Sequence, residues 1–153
     1  MSPLREFDRS LPMALLRARE AVMARFRPLL RLHGVTEQQW RVLRALSTTP
    51  KTNASALAAV TCLGLPSLSR ILRTLDARGL IHRRTMATDL RTTMVSLSAA
   101  GTRLLRKAGA ESEARYASLT SDVGDANMQR LYVLLEQVAS VNDGNPGKKR
   151  RAR

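Results

Sequence analysis

Apolar residues recur at three- and four-residue spacing along most of the chain, interrupted by one stretch of short β-prone runs. The first stripe is Leu15, Val22, Phe26, Leu29 and Leu30, with Ser10 placed to cap the helix and Pro12 tolerated in its first turn. Pro28 predicts a kink near Arg27. Thr36-Glu37-Gln38-Gln39 has the spacing of a capping box, and it opens a second helix through Trp40, Leu43 and Leu46 that stops before Pro50. Asn53 caps a short third helix with Leu57, Ala58 and Val60, and Gly64 breaks the pattern.

A fourth helix starts at Leu65-Pro66 and ends at Gly79, a residue suited to a left-handed C-terminal cap. Leu65, Leu68, Ile71, Leu72 and Leu75 form its inner face. Pro66, Ser67, Arg70, Arg73, Thr74 and Ala77 form the opposite one. Leu80–Thr85 and Thr93–Leu97, joined by Met86–Thr92, predict a β-hairpin. Ser98 caps a long fifth helix with Leu104, Leu105, Ala108 and Leu119, and Asp125 caps a sixth with Met128, Leu131, Leu135 and Val138. The fold class is therefore mostly α with a small β-hairpin wing, a winged helix-turn-helix.

Composition agrees with this order. Aromatic residues make up only 3% of the chain against 44% apolar overall, which favours helices packed through aliphatic stripes. No stretch reaches the roughly 18 uncharged apolar residues of a membrane span, and MSPLREFDRS lacks the apolar core of a signal peptide, so an intracellular, cytoplasmic protein with no membrane partner is expected. A single cysteine, Cys62, excludes an intrachain disulfide framework. It reads as a small buried hydrophobe.

Charge changes the picture more. Lys and Arg number 26 against 12 Asp and Glu, and the excess lies in residues 1–97 and in the last ten, not in residues 98–143. Clustered cations gain binding free energy by displacing counterions from phosphates, which makes nucleic acid the expected partner. A helix with a small, basic outer face fits a major groove about 12 Å wide, and Ser67, Ser69, Arg70 and Arg73 reach base edges there. Asp89-Leu90-Arg91 places a guanidinium at the hairpin tip, where it can enter a minor groove, with Asp89 orienting Arg91. Arg83 and Arg84 lie on a strand, so one faces the DNA side and the other away.

Enzymatic function has no support. G-x-S-x-G, P-loop, H-E-x-x-H and dinucleotide motifs are absent, no cofactor is called for, and Glu111 and Glu113 read as a polar helix face without partners. His33 and His82 are far apart in sequence, too sparse a set for a metal site.

Residues 57–83, LAAVTCLGLPSLSRILRTLDARGLIHR, resemble the core of the multiple-antibiotic-resistance regulator (MarR) family at Leu57-Ala58, Ser67, Arg70, Leu75, Gly79 and Arg83. Asp89-Leu90-Arg91 resembles that family's D-x-R, and Leu97–Gly101 resembles its strand-to-helix junction. ALLRARE (14–20) and FRPLLRLHGVTEQQWRVLR (26–44) are similar to the branch that represses homoprotocatechuate and other aromatic-acid breakdown operons. The resemblance implies a homodimer on a pseudo-palindromic operator. Residues 1–35 and 98–143 would dimerise, 36–97 would form the DNA-binding lobe, and 144–153 would be a disordered basic tail.

It also implies an effector between the dimer base and the lobe, here a small aromatic carboxylate such as a hydroxyphenylacetate, homoprotocatechuate or hydroxynicotinate. The candidate effector residues are Arg19, Met23, His33, Trp40 and Arg41. Arg19 falls on the first apolar stripe, where it either forks onto an effector carboxylate or makes a structural salt bridge. Trp40 reads as core and His33 as a helix C-terminal cap, each the blander alternative to ligand contact. An architectural DNA-binding protein without an effector shares the charge but needs no pocket, and the residues do not distinguish repressor from activator.

Overall fold

The computed structural model describes residues 4–88 and 92–141. A single 3-10 turn, Phe7–Arg9, precedes α1 (Leu11–Leu32) and α2 (Glu37–Thr48). β1 (Thr52–Asn53), α3 (Ala54–Thr61), α4 (Leu65–Ala77), β2 (Ile81–Thr85) and β3 (Thr93–Leu97) follow, then α5 (Ala99–Val123) and α6 (Asp125–Val141). The chain forms two compact units that meet within α5, one through Glu113 and the other from Ala114.

The first unit closes around Leu43, Leu46, Leu57, Leu68, Leu75, Ile81 and Val95, each almost fully buried. Three helix ends build it as the residues require. Thr36 Oγ1 accepts the Gln39 N–H at 3.1 Å while Gln39 Oε1 accepts the Thr36 N–H at 3.1 Å, completing the capping box. Asn53 Oδ1 accepts the Ala56 N–H at 2.9 Å. After α4, Gly79 is left-handed (φ 68°), and the Gly79 and Leu80 N–H groups return to the Asp76 and Leu75 carbonyls at 2.8 and 2.9 Å. This ends the helix and turns Leu80 and Ile81 back into the core.

The sheet has the order β1-β3-β2, antiparallel throughout, with Thr52 opposite Val95 and Ile81 opposite Leu97. β1 was not expected: two residues next to a helix cap carry no periodicity. Ser98 links the wing to α5. Its hydroxyl donates to the Gly79 carbonyl at 2.6 Å and accepts the Gly101 N–H at 3.0 Å.

Several expectations need correction. Ser10 stands at the N-cap of α1 but makes no side-chain capping bond; its backbone N–H donates to the Phe7 carbonyl at 3.1 Å. The break after α3 falls at Cys62, which is left-handed (φ 52°, ψ 41°) and exposed, not a buried hydrophobe. The Leu63 N–H returns to the Ala58 carbonyl and Leu63 packs on the core instead. Gly64 keeps an ordinary extended conformation before α4. Val60 and Leu65 flank this turn on its outer side and are 70% and 53% exposed, so neither joins the inner face. In the second unit α6 begins at Asp125 itself, and only Met128 of its stripe is buried.

Candidate DNA interface and anion cavity

α3 and α4 meet at 108° across the Cys62–Gly64 turn, the angle of a helix-turn-helix pair. Leu68, Ile71, Leu72 and Leu75 hold α4 by one face. Its other side presents Pro66, Ser67, Ser69, Arg70, Arg73 and Thr74, all exposed. Thr74 Oγ1 donates to the Arg70 carbonyl at 3.1 Å, while the Arg70 and Arg73 guanidiniums form no ion pair with a described residue. A short, polar and cationic ridge on a rigid helix can enter a groove without first breaking contacts of its own.

Strand pairing separates Arg83 from Arg84. Arg83 is opposite Val95 and shares the face of the sheet that closes the core, whereas Arg84 is opposite Met94 on the other face. Asp89 and Arg91 lie outside the described residues.

The expected effector residues have partners of their own. Arg19 shares the face of α1 that carries Phe26 but precedes its buried part, its side chain 43% exposed, and it forks onto Glu20 at 2.9 Å and Glu37 at 2.7 Å. Arg27 Nε reaches Glu37 at 2.6 Å and its Nη2 reaches Glu20 at 2.6 Å. These four residues tie the middle of α1 to the first turn of α2. Arg41 Nη1 donates to the Thr61 carbonyl at 3.0 Å, binding α2 to the last turn of α3. Met23 and Trp40 are half-buried against the core.

His33 occupies the C-cap of α1, as the blander reading expects, but its ring is only 7% exposed and Nε2 lies 3.1 Å from Glu111 Oε1 on α5. Glu111 therefore has a partner that its place on a polar helix face did not reveal. Glu37 was also missed as an ion-pair hub. Its value as a capping-box neighbour hid the two arginines that fold back from α1.

Partial burial raises the Glu37 pKa, but the hydrogen bonds from Arg19 and Arg27 outweigh this and hold the carboxyl below its ordinary value. A carboxyl depressed by folding stabilises the protein above its unfolded pKa, and that contribution is lost as pH falls through the folded one. Glu37→Gln should therefore lower the unfolding midpoint at neutral pH. The deficit should shrink on acidification below about 4.3, the usual glutamate value, as denaturant melts of both proteins from pH 7 to 3 would show. A pH-independent deficit would mean that packing, not charge, is what the substitution removes.

A cavity of about 490 Å³ opens between α2, β3 and the start of α5. Leu46, Leu97, Leu105 and Pro50 line its apolar part, with Ser47, Thr102, Arg44 and Arg106 around them. Neither guanidinium has a carboxylate partner among the described residues, and no acidic residue lines the space. The volume lies within the range of small-molecule pockets. Arg44 and Arg106 lie 62 residues apart and come to one space only in the folded unit, so no spacing along the chain marks them as a pair. No cluster of His, Cys, Asp and Glu suited to a metal occurs among the described residues. Among them, no single helix is long and apolar enough to cross a membrane.

A right-angled helix pair with a basic second helix, backed by a three-stranded wing, defines a winged helix-turn-helix protein. Residues 35–93 match the MarR family. The chain is 37% identical over 134 residues to the homoprotocatechuate degradative operon repressor of Escherichia coli, covering 88% of this chain and 90% of that protein. Among solved structures, NadR in complex with 4-hydroxyphenylacetate superposes with a TM-score of 0.80 at 34% identity, over 88% of this chain and 98% of NadR. CouR bound to a 23-mer DNA duplex gives 0.80 at 28% identity, over 90% and 99%. The chain belongs to the MarR family of transcriptional regulators and is not an enzyme.

Proposed function

We propose that this protein is a homodimeric repressor that grips a pseudo-palindromic operator through α4 and the wing and releases it on binding a small aromatic carboxylate. The observation that carries the DNA-binding half is the α4 ridge, held rigidly from behind, cationic, and without ion-pair partners among the described residues. Ser67, Ser69 and Arg70 face base edges in this reading. Arg73 and Arg83 meet the backbone, and Arg91, steadied by Asp89, enters the minor groove. Residues 1–35 and 98–143 supply the dimer contacts, and the basic tail 144–153 is a phosphate tether.

The aromatic-acid half draws on the relatives, one named for a homoprotocatechuate operon and one seen with 4-hydroxyphenylacetate. The α2–α5 cavity has the matching chemistry, an apolar floor for a ring and two guanidiniums for its carboxylate. Arg19 is already neutralised by Glu20 and Glu37, so Arg44 and Arg106 are the carboxylate ligands and Arg19 holds α1 against α2.

Operator anisotropy with added 4-hydroxyphenylacetate tests both halves. Arg70→Ala should weaken the operator by about 1–3 kcal/mol and relax preference at one position of each half-site. Arg44→Gln should bind the operator normally yet need at least ten times more acid for release, corresponding to about 1.4 kcal/mol of lost preference per site. Arg19→Gln should release near the wild-type concentration. The reverse order of the two glutamine variants would restore Arg19 as the effector ligand. Tight operator binding that no aromatic acid relieves would leave an architectural protein.

A further inference from the structure

The antiparallel register sorts the wing into two faces. Ile81, Arg83, Val95 and Leu97 belong to the face that closes the core, with Thr52 of β1 beside Val95. His82 and Ser96 form a pair on the other face, as do Arg84 and Met94, with Asn53 beside Met94. On that outer face a cavity of about 520 Å³ lies over Lys51, His82, Arg84, Met86, Met94 and Ser96. Three of these six are basic residues, and none is acidic. Lys51, His82 and Arg84 make no ion pair with a described residue.

We propose that this concavity is a second anion site, taking a small amphipathic anion with a carboxylate on a flat apolar body. It is separate in position from the α2–α5 cavity and does not depend on that cavity's assignment. The three basic side chains come from different points of the backbone: Lys51 precedes β1, and His82 and Arg84 stand two residues apart on one side of β2. An anion held among them bridges the two outer strands across β3. The side chains of Met86 and Met94 are polarizable and unbranched, suited to the face of a ring whose shape they can follow. Ser96 adds a hydroxyl near the His82 position with which it pairs.

A DNA phosphate is the competing occupant of any cationic wing surface. It fits less well here, because a phosphate on a duplex rim needs a protruding cation and makes no use of a methionine-lined hollow. The strand face that carries Arg83 is also the opposite one. Occupation would stiffen the wing by joining β1 to β2, so the site bears on how the hairpin is presented.

The chain has only two histidines, His33 and His82, so the imidazole Cε1–Hε1 correlations give one NMR signal at this site and one away from it. With 4-hydroxyphenylacetate as the probe, the His82 signal should shift saturably. The midpoint should rise at least tenfold in the double variant Lys51→Gln/Arg84→Gln, whose positions are exposed, and stay unchanged in Arg44→Gln. No saturable shift of His82 would overturn the proposal. So would an equal response to sulfate, which lacks the apolar body. A His82 signal that answers to operator duplex and not to the acid would make the surface a phosphate contact. None of these outcomes depends on whether the acid releases DNA.

Discussion

Leu131→Asp combined with Leu135→Asp should convert the protein into a monomer that keeps its helices and loses tight operator binding. In the described structure α6 buries Met128 alone, while Leu131, Leu134, Leu135 and Val138 are 44%, 55%, 38% and 42% exposed. Their spacing of three, four and seven residues makes one continuous apolar stripe. A stripe of that length left to solvent marks an interaction surface. Arg115, in the same unit, agrees: its Nε is buried without a partner among the described residues, a state that costs about 1–3 kcal/mol unless another chain supplies an acceptor. Each leucine covered by a second copy contributes about 1.5–3 kcal/mol, and a carboxylate in its place adds a desolvation penalty. Two such changes should raise the dimer dissociation constant by at least about 100-fold, since 1.4 kcal/mol is a factor of ten. Sedimentation velocity over a concentration series reads this directly, and circular dichroism should show helix content retained. A dimer of undiminished affinity would move the interface off α6.

Two glycines of α5, eight residues apart, should respond to alanine with opposite signs. A Cβ on Gly101 would lie 2.1 Å from the Leu80 carbonyl oxygen and 3.3 Å from Leu97 Cδ2. That carbonyl also accepts the Ser98 N–H at 3.1 Å, so it cannot retreat without breaking the junction that leads from the wing into α5. Overpacking of this kind costs about 1–3 kcal/mol, and the backbone obstacle puts Gly101→Ala at the upper end. The better helix propensity of alanine returns at most about 1 kcal/mol. At Gly109 the added Cβ meets nothing within 4 Å, so only the propensity gain remains and Gly109→Ala should stabilise by up to about 1 kcal/mol. Denaturant melts of the three proteins decide it. Equal effects at both positions would show that the first turn of α5 can move away from Leu80.

Some residues announced their structure because local bonding alone decides it. Thr36 and Gln39 cap each other within one turn, Asn53 caps α3, and Gly79 ends α4, all through contacts three to five residues long. Where local and tertiary demands diverged, tertiary packing decided. Cys62 takes the left-handed turn that Gly64 was expected to provide, because packing Leu63 inward fixes where the backbone reverses. Val60 and Leu65 look like core residues by type, yet the 108° turn carries them outward.

The candidate site divides the same way. Periodicity placed Ser67, Arg70 and Arg73 opposite the leucines of α4, since one helix face buried determines which face remains. Charged partners distant in sequence had no such signature. The Arg19–Glu37 pair and the His33–Glu111 contact each join two helices, while Arg44 and Arg106 come from two helices to line one cavity. By itself the sequence determined the order of the helices and the hairpin, the helix ends at Thr36, Asn53 and Gly79, and the outward face of α4, all consequences of short-range bonding and of a period near 3.6. Only the tertiary structure decided which cations are neutralised and which surround a cavity, because an ion pair depends on distances that helix packing sets and sequence spacing does not.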